Sequence, residues 1–392
     1  MLKSSKKASA RIKQADGYDY EEPVYQGPPK SEAVTFSHAP EKKRGRFHWR
    51  PTKKQLIIGT ALVMIVGGGL SWLLLKSSPK KASIISSHVT KAPAVTLSNL
   101  TGLPVTPSIN RLPVTGIMIE NSDDARPQSG LSQAGIVFEA LAEGGITRFL
   151  AIYQGNQTFS IGPVRSARPY FIDWLLPFDA GYAHVGGSPA ALSEIQSQNV
   201  RDMNEFYNGG AYNRVSSREA PHNVYTTLAS LTSLEQTKGW TSSTFIGFPR
   251  KADSPSKTPT ATSINFSIGT SDMWVSYQYN STLNSYERSE GGATMVDANT
   301  NLQLQPKVVI AMVVPWTDGP LDSSDAYYTD YSDIGSGAAY VFQDGALTTG
   351  TWQKKSQTSQ ITFTNTNGTP IKLNAGQTWI TALGSSSDMT YK

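Results

Sequence analysis

Hydrophobic residues fall along this chain in contrasting patterns. Residues 1–54 are polar, rich in Lys, Pro and Ser, and lack any apolar period, so they read as a disordered tail. Residues 55–75, QLIIGTALVMIVGGGLSWLLL, carry no charge. A stretch of about 20 such residues suits a helix crossing the hydrocarbon core of a bilayer. Residues 76–110 turn Ser/Thr/Pro-rich and read as a stalk.

Beyond residue 110 the apolar runs shorten and punctuation becomes regular. PVTGIMIE, ITRFLAIYQ and GYAHVGG predict strands. QAGIVFEALAEGG fits helix or strand, and YFIDWLLPF predicts a short helix ended by Pro177. After GYAHV, Ser188 is a natural N-cap and Pro189 a natural first helical residue, so a helix starts there. Strands alternating with helices predict an α/β N-terminal domain over about 111–239. Residues 240–262 read as a linker. INFSI, MWVSYQY, NSYERS, KVVIAMVVPW, AAYVFQ, ALTTGTW, ITFTN and TWITALG then predict a β-rich (α+β) C-terminal domain over about 263–384, with a tail at 385–392. KVVIAMVV is apolar without alternation, hence buried on both faces, and Asp344-Gly345 signals a type I′ hairpin.

Charge sharpens this layout. The net charge of +5 is misleading for the whole chain: residues 1–54 hold 13 Lys+Arg against 6 Asp+Glu, while the rest is nearly neutral. A nucleic-acid partner would demand a basic face on the body, so none is expected. The basic flank KKRGRFHWRPTKK places the tail in the cytoplasm and makes residues 55–75 a single-pass anchor in the plasma membrane, with the C-terminal domains extracytoplasmic. The core is too long and the leader too extended for a cleaved signal peptide. Cysteine is absent, which excludes disulfides, thiolate catalysis and a lipid-bearing Cys within this sequence.

Between Lys91 and Lys238 every cation is arginine: Arg111, Arg126, Arg148, Arg165, Arg168, Arg201, Arg214 and Arg218. A planar five-donor fork suits either buried ion pairs or a cleft that grips carboxylate or phosphate. For the cleft, Arg148 shares a strand face with Leu150 and Ile152, and Arg165 and Arg168 flank a Gly-Pro turn. His184, Gly186, Gly187 and Ser188 stand where a strand feeds a helix N-terminus, a position that binds anions in α/β sheets. For the ion-pair network, Glu139 and Glu143 share one face in either conformation and could neutralise Arg148 and one of Arg165 and Arg168. Both readings stand on the residues alone.

Other chemistry finds little support. His184 and His222 lack zinc-site spacing, so no metal and no cofactor is expected. GGSPA is not a G-x-S-x-G elbow, and no Gly-Lys dipeptide makes a P-loop. Asp318, Asp322, Asp325, Asp330 and Asp333 crowd a loop without calcium-loop order. Trp274, Tyr277, Tyr279, Trp316, Trp352 and Trp379 are core or sugar-stacking candidates.

GIMIENSDDARPQSGLSQAGIVFEALAEGGITRFLAIYQ, IGPVRSARPYF, HVGGSPAAL and APHNVY closely resemble the bacterial YerB-like family, domain of unknown function 3048. VSYQYNSTLNSYERS, GSGAAYVFQDG, TGTWQK and LNAGQTWI resemble its C-terminal domain. The resemblance covers about 111–384. It implies a two-domain extracytoplasmic protein on a membrane anchor, with no reaction assigned. It implies motif roles for Asn121, Arg126, Gln128, Glu139, Glu143, Arg148, Arg165, Ser166, Arg168, His184, Ser188, Arg214, His222 and Asn223. The family's usual lipoprotein cysteine is replaced here by the apolar segment. The resulting expectation is an envelope protein binding an anionic ligand, a cell-wall glycan or an envelope protein. A phosphotransferase on lipid-linked glycan and a structural scaffold are the alternatives.

Overall fold

The computed structural model describes residues 94–321 and 326–392. The tail, the membrane-anchor segment 55–75, the stalk to residue 93, Asp322 and Asp325 lie outside the described residues. Among the described residues no helix is long and apolar enough to cross a membrane. Residues 94–110 differ from the flexible stalk expected. Thr96–Leu97 pairs with Pro104–Val105, and Leu100 is buried in the core, because its side chain fills the space over Gly135.

The first sequence segment contributes β1 (Val114–Glu120), β2 (Ile136–Glu143), β3 (Ile146–Gln154), α1 (Pro169–Leu175), β4 (Gly181–His184), α2 (Pro189–Ser197), β5 (Arg201–Asn204) and α3 (Leu228–Thr237). The second contributes β6 (Ser263–Phe266), β7 (Val275–Asn280), β8 (Ser285–Glu290), β9 (Val308–Val313), β10 (Trp316–Leu321) and β11 (Tyr327–Tyr331). It continues with β12 (Gly335–Gln343), β13 (Ala346–Lys354), β14 (Thr362–Asn365), β15 (Thr378–Leu383) and β16 (Met389–Tyr391).

Among the described residues the largest sheet has twelve strands and crosses the boundary between the segments. Its order is β14-β13-β12-β9-β15-β2-β3-β1-β4-β5, with the β10–β11 hairpin joined to β2 where Tyr328 faces Glu143. β9, β15 and β2 run parallel, as do β1, β4 and β5, whereas β2, β3 and β1 alternate. The fold is thus a mixed α/β body with a β-rich C-terminal part. β2, which the sequence left between helix and strand, is a strand because β15 and β3 bond both its edges and apolar layers bury both its faces. The last residues, Met389–Tyr391, pair with β6 in a second, five-stranded sheet.

Each face of the large sheet has its own core. Phe138, Leu150 and Met118 point toward α1 and α2, where Trp174 stacks on Phe138 with ring centroids 5.3 Å apart. Val137, Phe149 and Ile117 point toward Leu228 and Leu231 of α3 and toward Trp379. Each such large side chain, fully buried, contributes about 1.5–3 kcal/mol. Ser188 caps α2 as its sequence signals: its Oγ accepts from the Ala191 N–H, and Pro189 opens the helix. Asp344 and Gly345 both adopt positive φ (58° and 71°), as a type I′ turn requires.

Two buried polar clusters join the segments. Asp173 of α1 hydrogen-bonds Asp333, which precedes β12, and Glu194 of α2. Gln357 donates to Glu194 Oε1 at 3.1 Å, and the buried Lys354 ammonium donates to the Gln357 and Ser359 carbonyls at 2.7 and 2.9 Å. The second cluster centres on Arg288 of β8, which reaches Glu139 of β2 at 2.8 Å.

Candidate functional site

The 163–168 stretch runs extended between β1 and the turn after β4. Arg165 N–H donates to the Met118 carbonyl, Val185 N–H to the Arg165 carbonyl, and Ala167 N–H to the Gly186 carbonyl. This ribbon brings Arg165 and Arg168 beside Arg148 on β3, and the cis bond before Pro163 lies at its start. Arg148 and Arg168 converge on one carboxylate. Arg148 Nη2 lies 2.5 Å from Glu143 Oε1, and Arg168 donates through Nε (3.1 Å) and Nη2 (2.5 Å) to Oε2. Arg148 Nη1 also donates to the Ser166 carbonyl, Arg168 Nη1 to the Ala167 carbonyl, and the Arg168 guanidinium lies 4.8 Å from the Tyr328 ring centre. Burial alone would raise the Glu143 pKa, but the two guanidiniums outweigh it and hold the carboxyl below its ordinary range.

Arg165 is different. Its Nε lies 3.2 Å from Glu120 Oε1, yet off the line a hydrogen bond needs, so the contact is an ion pair without a directional bond. Among the described residues its terminal nitrogens have no hydrogen-bond acceptor, and its side chain is 24% exposed. Burial, with Arg148 and Arg168 close by, depresses its pKa against the pull of Glu120 and Glu143. Glu120 Oε1 also accepts from Ser122 Oγ and His222 Nδ1, each at 3.0 Å, while its Oε2 is buried without a partner. His222 Nε2 lies 3.9 Å from Asp124. Three guanidiniums and an imidazole therefore gather around two carboxylates. Ser122 Oγ approaches the same His222 nitrogen as Glu120, at 3.5 Å, so the trio lacks the serine–base–acid relay of a hydrolase.

The turn at Gly186–Ser188 does not form the donor hole expected for it. Gly186 N–H donates to Asn204 Oδ1, Ser188 N–H donates to the Ala167 carbonyl, and the Phe206 ring covers Gly186. Gly187 pairs with Ala167 across a bridge. His184 is fully buried, with Nδ1 2.7 Å from the Gly186 carbonyl and Nε2 3.0 Å from Asp202. Both ring nitrogens are thereby committed to the fold. The ribbon takes the Ser188 N–H, and Asn204 at the end of β5 takes the Gly186 N–H, so neither donor is left for a ligand.

The remaining motif residues divide in two. Arg214 pairs with Glu205 at the surface and donates to Asn223 Oδ1, away from the arginine cluster. Asn121, Arg126, Gln128 and Glu139 belong to the Arg288 network. Glu290 accepts from Asn121, Arg126 and Arg288, while Gln128 donates to Asn121 and to the Glu120 carbonyl. Glu139 thus neutralises Arg288, and Glu143 takes both Arg148 and Arg168, a different division from the one the spacing suggested. Glu120, Ser122, Arg288 and Glu290 escape a sequence reading, although the charged end of PVTGIMIE signals Glu120, and the Arg of NSYERS with the Glu that follows it signals Arg288 and Glu290. Among the described residues no group of three or more His, Asp or Glu is arranged to hold a metal ion.

Comparison with known proteins places this geometry in context. Residues 100–241 match the model described as "Protein of unknown function (DUF3048) N-terminal domain", and residues 263–380 match its C-terminal domain. The "Putative lipoprotein YerB" of Bacillus subtilis (strain 168) is 29% identical over 313 residues, covering 79% of this chain and 91% of that protein. The crystal structure of YerB protein from Bacillus subtilis superposes with a TM-score of 0.67 at 28% identity, covering 76% of this chain and 99% of that one.

Proposed function

The chain belongs to the DUF3048 family in both its N-terminal and C-terminal parts, and from that premise we propose an extracytoplasmic envelope protein that binds an anionic ligand at Arg165. The Bacillus relative's name describes a lipoprotein. In this cysteine-free chain the apolar segment 55–75 would supply the tether. The observation that carries the reading is the contrast among the three arginines. Arg148 and Arg168 are consumed by Glu143 and by carbonyls, whereas Arg165 keeps its terminal fork free at a partly exposed position. His222 and the Ser122 hydroxyl stand beside it on Glu120. A phosphate or carboxylate on an envelope glycan could take both ends of that fork. The first clamp envisaged, three arginines with the Gly186–Ser188 turn, thereby narrows to Arg165 with His222.

Titration calorimetry of the purified full chain with pyrophosphate and with a carboxylated muropeptide tests this. Arg165→Lys keeps the charge and loses the fork, so binding should fall about tenfold or more while the melting temperature holds. A wild-type chain inert to both probes, or a Lys variant that binds equally well, refutes the proposal.

A further inference from the structure

Six aromatic residues of the second segment suit sugar stacking by sequence, and the fold sorts them. Tyr277, Tyr279, Trp352 and Trp379 are buried, with the Trp352 indole N–H donating to the Val313 carbonyl and the Trp379 indole N–H to Gln377. Trp274 is 51% exposed but lies outside the cavities described below. Trp316, 39% exposed, lines a cleft of about 440 Å³.

That cleft opens where β15 and β2 end, beside Trp316, the first residue of β10. Parallel strands of α/β sheets place ligands in the crevice outside their carboxyl ends, where the backbone leaves the sheet. Two glycines shape its wall, letting the Trp316 indole lie close against the backbone. Gly384 carries no side chain, and a Cβ there would come within 2.5 Å of the Trp316 indole nitrogen. Gly269 is held at φ +66°, and a Cβ there would strike the Gly145 carbonyl at 2.1 Å, so the floor stays backbone-thin.

The polar groups of the cleft favour a neutral, hydroxyl-rich ligand. Asp388 is half-buried, and its Oδ2 accepts from the Ser385 N–H at 2.9 Å, which fixes the carboxylate and leaves Oδ1 to accept from a ligand. Ser267 and Thr270 line the same wall, and among the described residues their hydroxyls bond no protein group. Among the described residues no Lys or Arg lines the cleft, so an anion would meet the Asp388 carboxylate without compensation from them. A rigid aromatic face beside fixed oxygen acceptors and free hydroxyls matches a pyranose, whose C–H face is apolar and whose rim carries hydroxyls. The volume lies within the range of small-ligand clefts.

We propose that the Trp316–Asp388 cleft is a second binding site, for an uncharged saccharide of about two rings, separate from the anion site at Arg165. The indole covers one sugar face, Asp388 Oδ1 accepts a pair of hydroxyls, and Ser267 and Thr270 donate to the ring oxygens on the opposite side.

Saturation-transfer NMR and calorimetry of the full chain, in a detergent without sugar headgroups, with the β-1,4-linked dimer and tetramer of N-acetylglucosamine test it. The wild type should bind both. Trp316→Ala should weaken binding about tenfold or more, Trp316→Phe less, and Trp274→Ala not at all. Asp388→Asn retains an acceptor for Ser385 but removes the charge, and should weaken binding severalfold with little change in melting temperature. Arg165→Lys should leave saccharide binding unchanged, which separates this site from the anion site. Absence of wild-type binding, full affinity in a folded Trp316→Phe and Trp316→Ala pair, or equal loss in Trp274→Ala overturns the assignment.

Discussion

Arg288 and Glu139 meet at 2.8 Å with neither side chain reaching solvent, although 149 residues of chain separate them. Tyr277 Oη, Glu290 and the Trp379 ring, 4.3 Å from the guanidinium, complete the enclosure. A buried pair of this kind is costly to break from one side, because the survivor keeps its charge in a dry site. Glu139→Gln or Arg288→Met should each destabilise by about 3–5 kcal/mol. The double replacement should cost less than the sum. Urea unfolding followed by tryptophan fluorescence reads all three values.

Glu143 holds Arg148 and Arg168 at once, so its loss leaves two neighbouring guanidiniums facing each other. Glu143→Gln should cost about 2–3 kcal/mol, less than a fully buried pair because solvent reaches one edge. The pH dependence carries the opposite sign to that of a raised carboxyl. Glu143's folded pKa is depressed, so its contribution is complete above the ordinary carboxylate range and disappears as pH falls through the depressed value. Acid titration of the urea midpoint should show a shallower fall in the Gln variant.

The carboxyl cluster between α1, α2 and the second segment titrates the other way. Burial pushes Glu194 and Asp333 up to about 8, with Asp173 next to both, and burial lowers Lys354 to about 8. Between the ordinary carboxylate range and pH 8 the folded protein keeps protons the unfolded chain has released, so stability should decline as pH rises across that window. Lys354 acts above it. From about 8 to its ordinary range the unfolded chain holds the extra proton, and stability should recover. Glu194→Gln with Asp333→Asn should flatten the decline. Glu235, buried on α3 against Thr115 and also pushed up to about 8, should leave a residual slope that Glu235→Gln removes. Denaturant midpoints measured from pH 5 to 9 decide it.

Ser188→Ala removes the acceptor for the Ala191 N–H at the start of α2. The expected loss is about 1 kcal/mol, read as a lower melting temperature with anion binding intact. Reduced binding with unchanged melting would instead make this hydroxyl a ligand contact.

Local signals in the sequence carried much of this structure. Ser188-Pro189 and Asp344-Gly345 declare a helix start and a turn through their own covalent preferences, and both appear in place. After Lys307, the run VVIAMVV reads as a doubly buried strand because it holds no polar side chain to face water. What stayed hidden depends on partners distant in the chain. Residues 136–143 satisfy either conformation until β15 arrives from 240 residues away to bond one edge. The arginines pose the same problem. Their clustering was visible, but whether each guanidinium was engaged depended on which of them Glu120 and Glu143 reach in three dimensions, and on Arg288 claiming Glu139. The backbone donors of Gly186 and Ser188 looked available for the same reason: no pattern in the sequence announces that Asn204 and residues 163–168 lie alongside them.

The placement of β15 between β9 and β2 has a consequence for how the two family segments can exist. A polypeptide ending at the linker would present β2 with a bare row of amides and carbonyls in what should be the middle of a sheet. One starting after it would present β15 the same way. Neither fragment should hold a stable fold alone, and co-expressed halves should pair β2 with β15 to rebuild the sheet, which size-exclusion chromatography of each half and of the mixture reads.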